Sequence, residues 1–223
     1  MKYFKAGGWW LPDHEAHLQG WMTKVGDRRG DRLLYQGAKY RMALAHTKRR
    51  RVAVDIGAHV GLWSWQMAQD FDVVEAFEPV PAHAECFARN LEGCAHVTLR
   101  QVALGDAGDF VTLRTRTPDS SGDTGVEPDG SGDVRAPLFR LDQLTINDID
   151  LIKLDCEGYE LFALRGAEQT LRHFRPTVIV EQKPETGMVE RYHVRPTEAV
   201  EYLKSLGARQ LAARQGDYVM GWP

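Results

Sequence analysis

Apolar positions fall along this chain in short unbroken runs, separated by stretches in which they recur every third or fourth residue. Val52 to Ile56 and Val73 to Phe77 are such runs, and "DLIKLDCEG" and "PTVIVEQ" repeat the form farther on, which predicts buried strands. Leu62 to Gln69, "PAHAECFARNLEG" up to its glycine, the amphipathic "YELFALRGAEQTLRHF" and "PTEAVEYLKSLG" predict helices between and after them. "VTLRQVALG" predicts a further strand, "LDQL" the start of a short helix, and "RQLAAR" with "DYVMGW" a closing hairpin around Gln215 and Gly216. Alternation of this kind makes parallel βαβ units, because parallel neighbours require a crossover connection. The expected fold class is α/β: a mostly parallel sheet with helices on both faces, finished by an antiparallel hairpin.

Two stretches depart from this rhythm. Residues 1 to about 30, with "GGWWLPDHE" and "GDRRGD", read as an irregular cap, and "LLYQGAKYRMALA" predicts a helix over Leu33 to Ala45 that leads into the first strand. Residues 115 to 137, "TRTPDSSGDTGVEPDGSGDVRAP", read as a loop because Gly, Ser, Asp and Pro dominate. The organisation expected is an N-terminal arm over residues 1–50 and an α/β unit over 51–223, together one compact body.

Composition changes this picture little. With 223 residues, 43% hydrophobic and 26% charged, the chain is long enough to bury one core, and a net charge of -3 gives no global reason to expect a polyanionic partner. Cys86, Cys94 and Cys156 lack CxxC or Cys/His spacing, so neither a disulfide framework nor zinc is expected, and a reducing cytoplasm fits best. No stretch approaches the apolar length of a membrane span, and no membrane partner is expected.

Candidate chemistry starts where the first strand ends, in "VAVDIGAHVGLWSW". The spacing Asp55-x-Gly57-x-x-x-Gly61 differs from the dinucleotide pattern GxGxxG, and its carboxylate would repel a pyrophosphate. The two glycines let backbone come close to a ligand. Glu78 ends the second strand some twenty residues on, where an acid accepts hydrogen bonds from a ribose diol. A ribose with a positive group and no phosphate describes S-adenosylmethionine.

"VAVDIGAHVGLWS", "VEAFEPVP", "VALGD", "DLIKLDCEGYELFALRGA" and "PTVIVEQ", in this order, resemble the FkbM-type family of S-adenosylmethionine-dependent methyltransferases, over roughly Val52 to Gln182. The resemblance implies a class I, Rossmann-like methyltransferase fold whose sheet has seven strands, the last antiparallel. It also implies that Asp55, Gly57 and Gly61 line the methionine and ribose side of the cofactor, that Glu78 holds the ribose hydroxyls, and that Val102 and Ala103 border the adenine. His59 stands where many members have Asn; both hydrogen-bond, so it is kept with the cofactor set, and it is also able to titrate near neutral pH.

Methyl transfer mainly requires an acceptor held in line and a place for its proton. Asp155 and Glu157 after the fourth strand and Glu181 after the fifth are the candidates at the carboxyl edge of the sheet. Converging carboxylates raise one another's pKa, which suits a base, or hold a divalent cation; base or substrate polarisation is favoured here and no resident metal is expected. Glu160 reads as a helix-start acid, and Lys183 as solvated or as an orienter of an anionic substrate. Trp9 and Trp10 read as packing for the arm, while one of Trp63 and Trp65 is expected in the core. The acceptor expected is a small polar or sugar-like molecule methylated on oxygen. The alternatives are a nucleic acid, with Lys48 to Arg51, Arg28, Arg29 and Arg32 as footprint, and a non-catalytic cofactor- or partner-binding module.

Overall fold

The computed structural model of the protein describes residues 3–183 and 188–223. Seven strands form the central sheet: β1 (Val52–Ile56), β2 (Val73–Phe77), β3 (Val97–Arg100), β4 (Ile149–Leu154), β5 (Thr177–Glu181), β6 (Arg209–Arg214) and β7 (Asp217–Gly221). Their order is β6-β7-β5-β4-β1-β2-β3, with β1 to β5 parallel and β7 antiparallel to both its neighbours. The mostly parallel sheet with its closing hairpin is therefore as expected. Strand order reverses between β1 and β4, so a crevice opens beyond the carboxyl ends of these two strands.

Side chains alternate across each strand and feed two different layers. Val54, Ile56, Ile152, Leu154, Val178 and Val180 face one layer, with Leu161, Leu164 and Leu203 from the helices Glu160–Arg165 and Glu198–Ser205. Ala53, Leu151, Ile179 and Val219 face the other, under Tyr40 and Ala43 of the helix Gly37–His46 and Trp63 and Met67 of the helix Leu62–Ala68. Period two carries three charged residues, Asp55, Lys153 and Glu181, to this second face. All three are at least 95% buried.

Elsewhere the structure is more ordered than the composition suggests. Of the segment expected to be irregular, the described residues from 3 to about 30 are ordered: Tyr3–Ala6 and Trp9–Pro12 pair antiparallel, His17–Val25 is a helix, and Arg28–Arg29 pairs with Arg32–Leu33. The tight turns supply the glycines that made this segment look like a loop. Residues 115–137 are not one loop either. Asp109–Thr115, Thr124–Glu127 and Val134–Phe139 form a small antiparallel sheet with Asp109–Thr115 in the middle, and the two-residue strand Ala103–Leu104 joins Val134–Phe139 in parallel. One face of it is buried through Leu113, Val126 and Ala136, too few apolar positions to outweigh the polar turns in a composition reading. "VTLRQVALG" is accordingly split between the two sheets, and the long helix expected at "YELFALRGAEQTLRHF" breaks at Gly166 into Glu160–Arg165 and Glu168–Phe174.

Candidate active site

The crevice at the strand reversal is a concave cavity lined by both apolar and polar side chains, the form that small-molecule sites take. Its floor is the loop after β1 (Gly57 to His59), its sides are Phe77, Glu78, Pro79, Val102 and Ala103 on one flank and Asp155, Cys156 and Glu157 on the other, and Leu18, Ser121 and Val126 lie across it. Seven sequence candidates therefore form its wall: Gly57, His59, Glu78, Val102, Ala103, Asp155 and Glu157.

Asp55 and Gly61 lie behind that wall. Asp55 is fully buried, with Oδ2 accepting 2.6 Å from the Ser64 hydroxyl and Oδ1 3.1 Å from Nζ of Lys153, its direct partner across β1 and β4. Lys153 also donates to the Gly57 carbonyl at 2.7 Å and itself lines the cavity. Burial works against its charge, but Asp55 and then Asp155 outweigh it and raise its pKa. The glycines serve close packing. At Gly57 (φ 75°) an added Cβ would stand 1.9 Å from the Asp155 carbonyl oxygen, and at Gly61 (φ 87°) 2.5 Å from Leu91.

Glu78, 5% exposed, accepts three hydrogen bonds. Its Oε1 accepts from the Val80 amide (2.9 Å) and His83 Nδ1 (3.1 Å), and its Oε2 from the His59 amide (2.9 Å). His59 has φ 51°, meets His83 edge-on at 4.4 Å, and stands 2.8 Å through Nε2 from the Ser121 hydroxyl. Burial, with His83 and Lys153 nearby, pushes its pKa well down, so the ring is neutral.

At the other end the carboxylates of Asp155, Glu157 and Glu181 each offer an oxygen within 4.8 Å of the others. The convergence follows from topology, since β4 and β5 are adjacent and both stop here. Burial, then Asp155, push Glu157 up to about 8 and Glu181 also upward, against the opposing charges of Arg116 on the first and Lys183 on the second. Arg116 lies 3.5 Å from Glu157, and Lys183 pairs with Glu181. Such a set has the oxygen ligands a divalent cation takes, but two of its members already have cationic partners. Tyr35 lines the cavity beneath them, its phenol kept protonated by burial and by Asp155, Glu181 and Glu157 in turn.

A family model described as the methyltransferase FkbM domain matches residues 55–209. The chain belongs to the FkbM methyltransferase family. Methyltransferase 1 of Beauveria bassiana (strain ARSEF 2860) is 27% identical to this FkbM methyltransferase over 156 residues, 57% of this chain and 63% of that protein. Among solved structures, a methyltransferase FkbM from Methylobacillus flagellatus KT superposes with a TM-score of 0.53 at 17% identity, over 78% of this chain and 44% of that one. A precorrin-6y C5,15-methyltransferase from Geobacter metallireducens GS-15 gives 0.53 at 15% identity, over 87% and 92%. These neighbours establish the class I methyltransferase fold. The FkbM methyltransferase thus spans less than two thirds of the length of the first two relatives. Among its described residues no helix is long and apolar enough to cross a membrane.

Reading the sequence missed Lys153, Glu15, Ser121 and His83. Lys153 carried a usable signal: a cation inside the apolar run "DLIKL" is costly unless a partner waits across the strand. The others come from segments distant in sequence and carry no local mark.

Proposed function

We propose that the protein transfers the methyl group of S-adenosylmethionine to an oxygen of a small polar or sugar-like acceptor. The observation that carries this reading is one cavity with two chemically different ends, Glu78 among apolar residues at one and Asp155 and Glu157 at the other, with a carboxylate oxygen of Glu181 within 4.8 Å of theirs. The residues fit the cofactor. Glu78 is a carboxylate on the wall for the ribose hydroxyls, Val102 and Ala103 with Phe77 offer an apolar slot for the base, and the acidic end suits a cation. When bound, S-adenosylmethionine supplies a methyl group activated by a sulfonium.

The chain's own task is then at the acceptor. Carboxylate oxygens of Asp155, Glu157 and Glu181 accept the acceptor's hydroxyl hydrogens and hold its oxygen at the cavity end; an ionised member takes the proton when the O–H bond breaks. Because burial keeps Glu157 largely protonated at neutral pH, the set both donates and accepts hydrogen bonds, as a polyhydroxylated acceptor requires. Arg116 and Lys183 limit the charge that accumulates.

The nucleic-acid alternative loses most of its footprint. Arg29 pairs with Asp70, Arg32 bonds the Asn90 carbonyl and lies over Trp9 and Trp65, Arg50 bonds two carbonyls, and Arg51 pairs with Asp148 and Asp150.

Calorimetric titration with S-adenosylhomocysteine tests the donor site, with NADH and Glu78→Ala as controls, and radiolabelled methyl transfer to candidate polyols tests the acceptor. Saturable binding lost in Glu78→Ala, with transfer lost but binding kept in Asp155→Asn or Glu181→Gln, is the expected result. No binding by the folded wild type would overturn the reading.

A further inference from the structure

Glu15 lies in the N-terminal segment, far in sequence from every residue of the cavity except Leu18, and its carboxylate is 1% exposed and fully engaged. Oε1 accepts from the Leu18 amide at 2.7 Å. Oε2 accepts from both the amide (2.7 Å) and the hydroxyl (2.5 Å) of Ser121, itself fully buried at the turn between the strands Asp109–Thr115 and Thr124–Glu127. The same turn is held a second time, through the Asp119 carbonyl, which accepts from the Ala16 and His17 amides at 3.0 and 3.3 Å.

Counting protons along this chain of contacts fixes their direction. A serine hydroxyl has one hydrogen, and that of Ser121 goes to Glu15, so towards His59 the Ser121 oxygen is the acceptor and Nε2 of His59 carries the hydrogen. The next residue back is Glu78, which receives the His59 amide. A buried carboxylate from the arm is thus joined to Glu78 through the Ser121 hydroxyl and then through His59, whose imidazole meets Ser121 and whose backbone amide meets Glu78. Leu18 and Ser121, the two residues that Glu15 ties together, both line the cavity, Ser121 against His59 of its floor.

We propose that Glu15 is a positioning residue that latches the Ser121 turn and the N-terminal helix across the donor cavity, so that the cofactor enters and leaves when the Glu15–Ser121–His59 chain opens. The arm is on this view part of the active site, with a role separate from the acceptor chemistry. The proposal rests on the donor-site reading above. A buried, charge-assisted hydrogen bond has no water to replace it, which makes the latch slow to open and specific to its partners.

Rates of S-adenosylhomocysteine association and dissociation, measured by stopped-flow on the full chain, test it. Ser121→Ala and Glu15→Gln weaken the latch. In both variants dissociation is expected to rise about ten-fold or more, the size of one charge-assisted hydrogen bond, and association to rise with it. Acceleration in both directions separates a latch from simple damage to the site, which speeds dissociation alone. Unchanged rates, or faster dissociation without faster association, in folded variants would overturn the latch and leave the donor site standing. If Glu15→Gln does not fold, Ser121→Ala decides. Failure of the wild type to bind S-adenosylhomocysteine at all overturns the donor reading and the latch with it.

Discussion

Lys153 and Asp55 illustrate what a single cross-strand pair does in this protein. Neither touches solvent to any extent, and each would be an uncompensated charge without the other. Lys153→Met is therefore expected to lower unfolding free energy by about 3 to 5 kcal/mol, and the Lys153→Met, Asp55→Asn double variant by less than the sum of the two singles. Urea unfolding of the four proteins gives the cycle; strict additivity would show that the pair does not act as one. Glu160 offers a test of the opposite sign. It is 1% exposed, accepts from the Cys156 and Gly158 amides at 2.8 and 3.1 Å, and is pushed up to about 7 by burial, against an ordinary 4.5. The native state holds its proton more tightly than the unfolded chain, so stability falls as pH rises from about 4.5 to about 7 by roughly 3 kcal/mol. Thermal melts of wild type and Glu160→Gln at pH 5 and pH 8 are expected to show the variant gaining on the wild type at the higher pH; a constant gap would remove the titration of Glu160 as its cause.

At the scale of elements, the turn after β1 is set by a close contact with the turn after β4. An Ala side chain at Gly57 meets the Asp155 carbonyl at 1.9 Å in a left-handed conformation, whereas at Gly93, also left-handed (φ 85°), it meets nothing within 4 Å. Gly57→Ala is expected to cost about 3 to 5 kcal/mol, overpacking and backbone strain together, and Gly93→Ala about 1 to 2 kcal/mol. Equal losses in equilibrium denaturation would contradict the contact. The same contrast explains which elements were legible beforehand. Val52–Ile56 and Val73–Phe77 were readable to the residue because strands buried over most of their length leave short, mainly apolar runs, each here interrupted by a single acid. Thr124–Glu127 and Val134–Phe139 were not, since strands with one covered face and partners set by distant pairing carry little local signal. The convergence of Asp155, Glu157 and Glu181 followed from adjacent strands ending together, but their partners Arg116 and Tyr35 arrive from outside the sheet.

For the molecule as a whole, the N-terminal segment is bound to the body by aromatic and hydrogen-bonded contacts as well as by Glu15. Trp9 is fully buried, edge-on to Trp65 at 5.6 Å, and Asn90 exchanges hydrogen bonds of 2.7 and 2.9 Å with the Trp10 backbone. Arg32 lies 4.6 and 4.9 Å over the rings of Trp9 and Trp65. An arm fastened in this way is expected to unfold with the sheet, so tryptophan fluorescence and far-ultraviolet circular dichroism should give coincident urea curves. An earlier fluorescence transition would show that the arm detaches first.

Cys156 stands on the cavity wall beside Asp155 and Glu157, half-buried and free, while Cys94 is also free and half-buried but lies outside the cavity. Burial and then Glu160 push the Cys156 thiol well up, so it reacts sluggishly with alkylating reagents. That slowness makes it a graded reporter. Mass spectrometry of iodoacetamide labelling is expected to show Cys156 protected by S-adenosylhomocysteine and Cys94 unaffected. The protein would thereby carry its own occupancy gauge for screening small molecules, including acceptors for which no turnover assay exists.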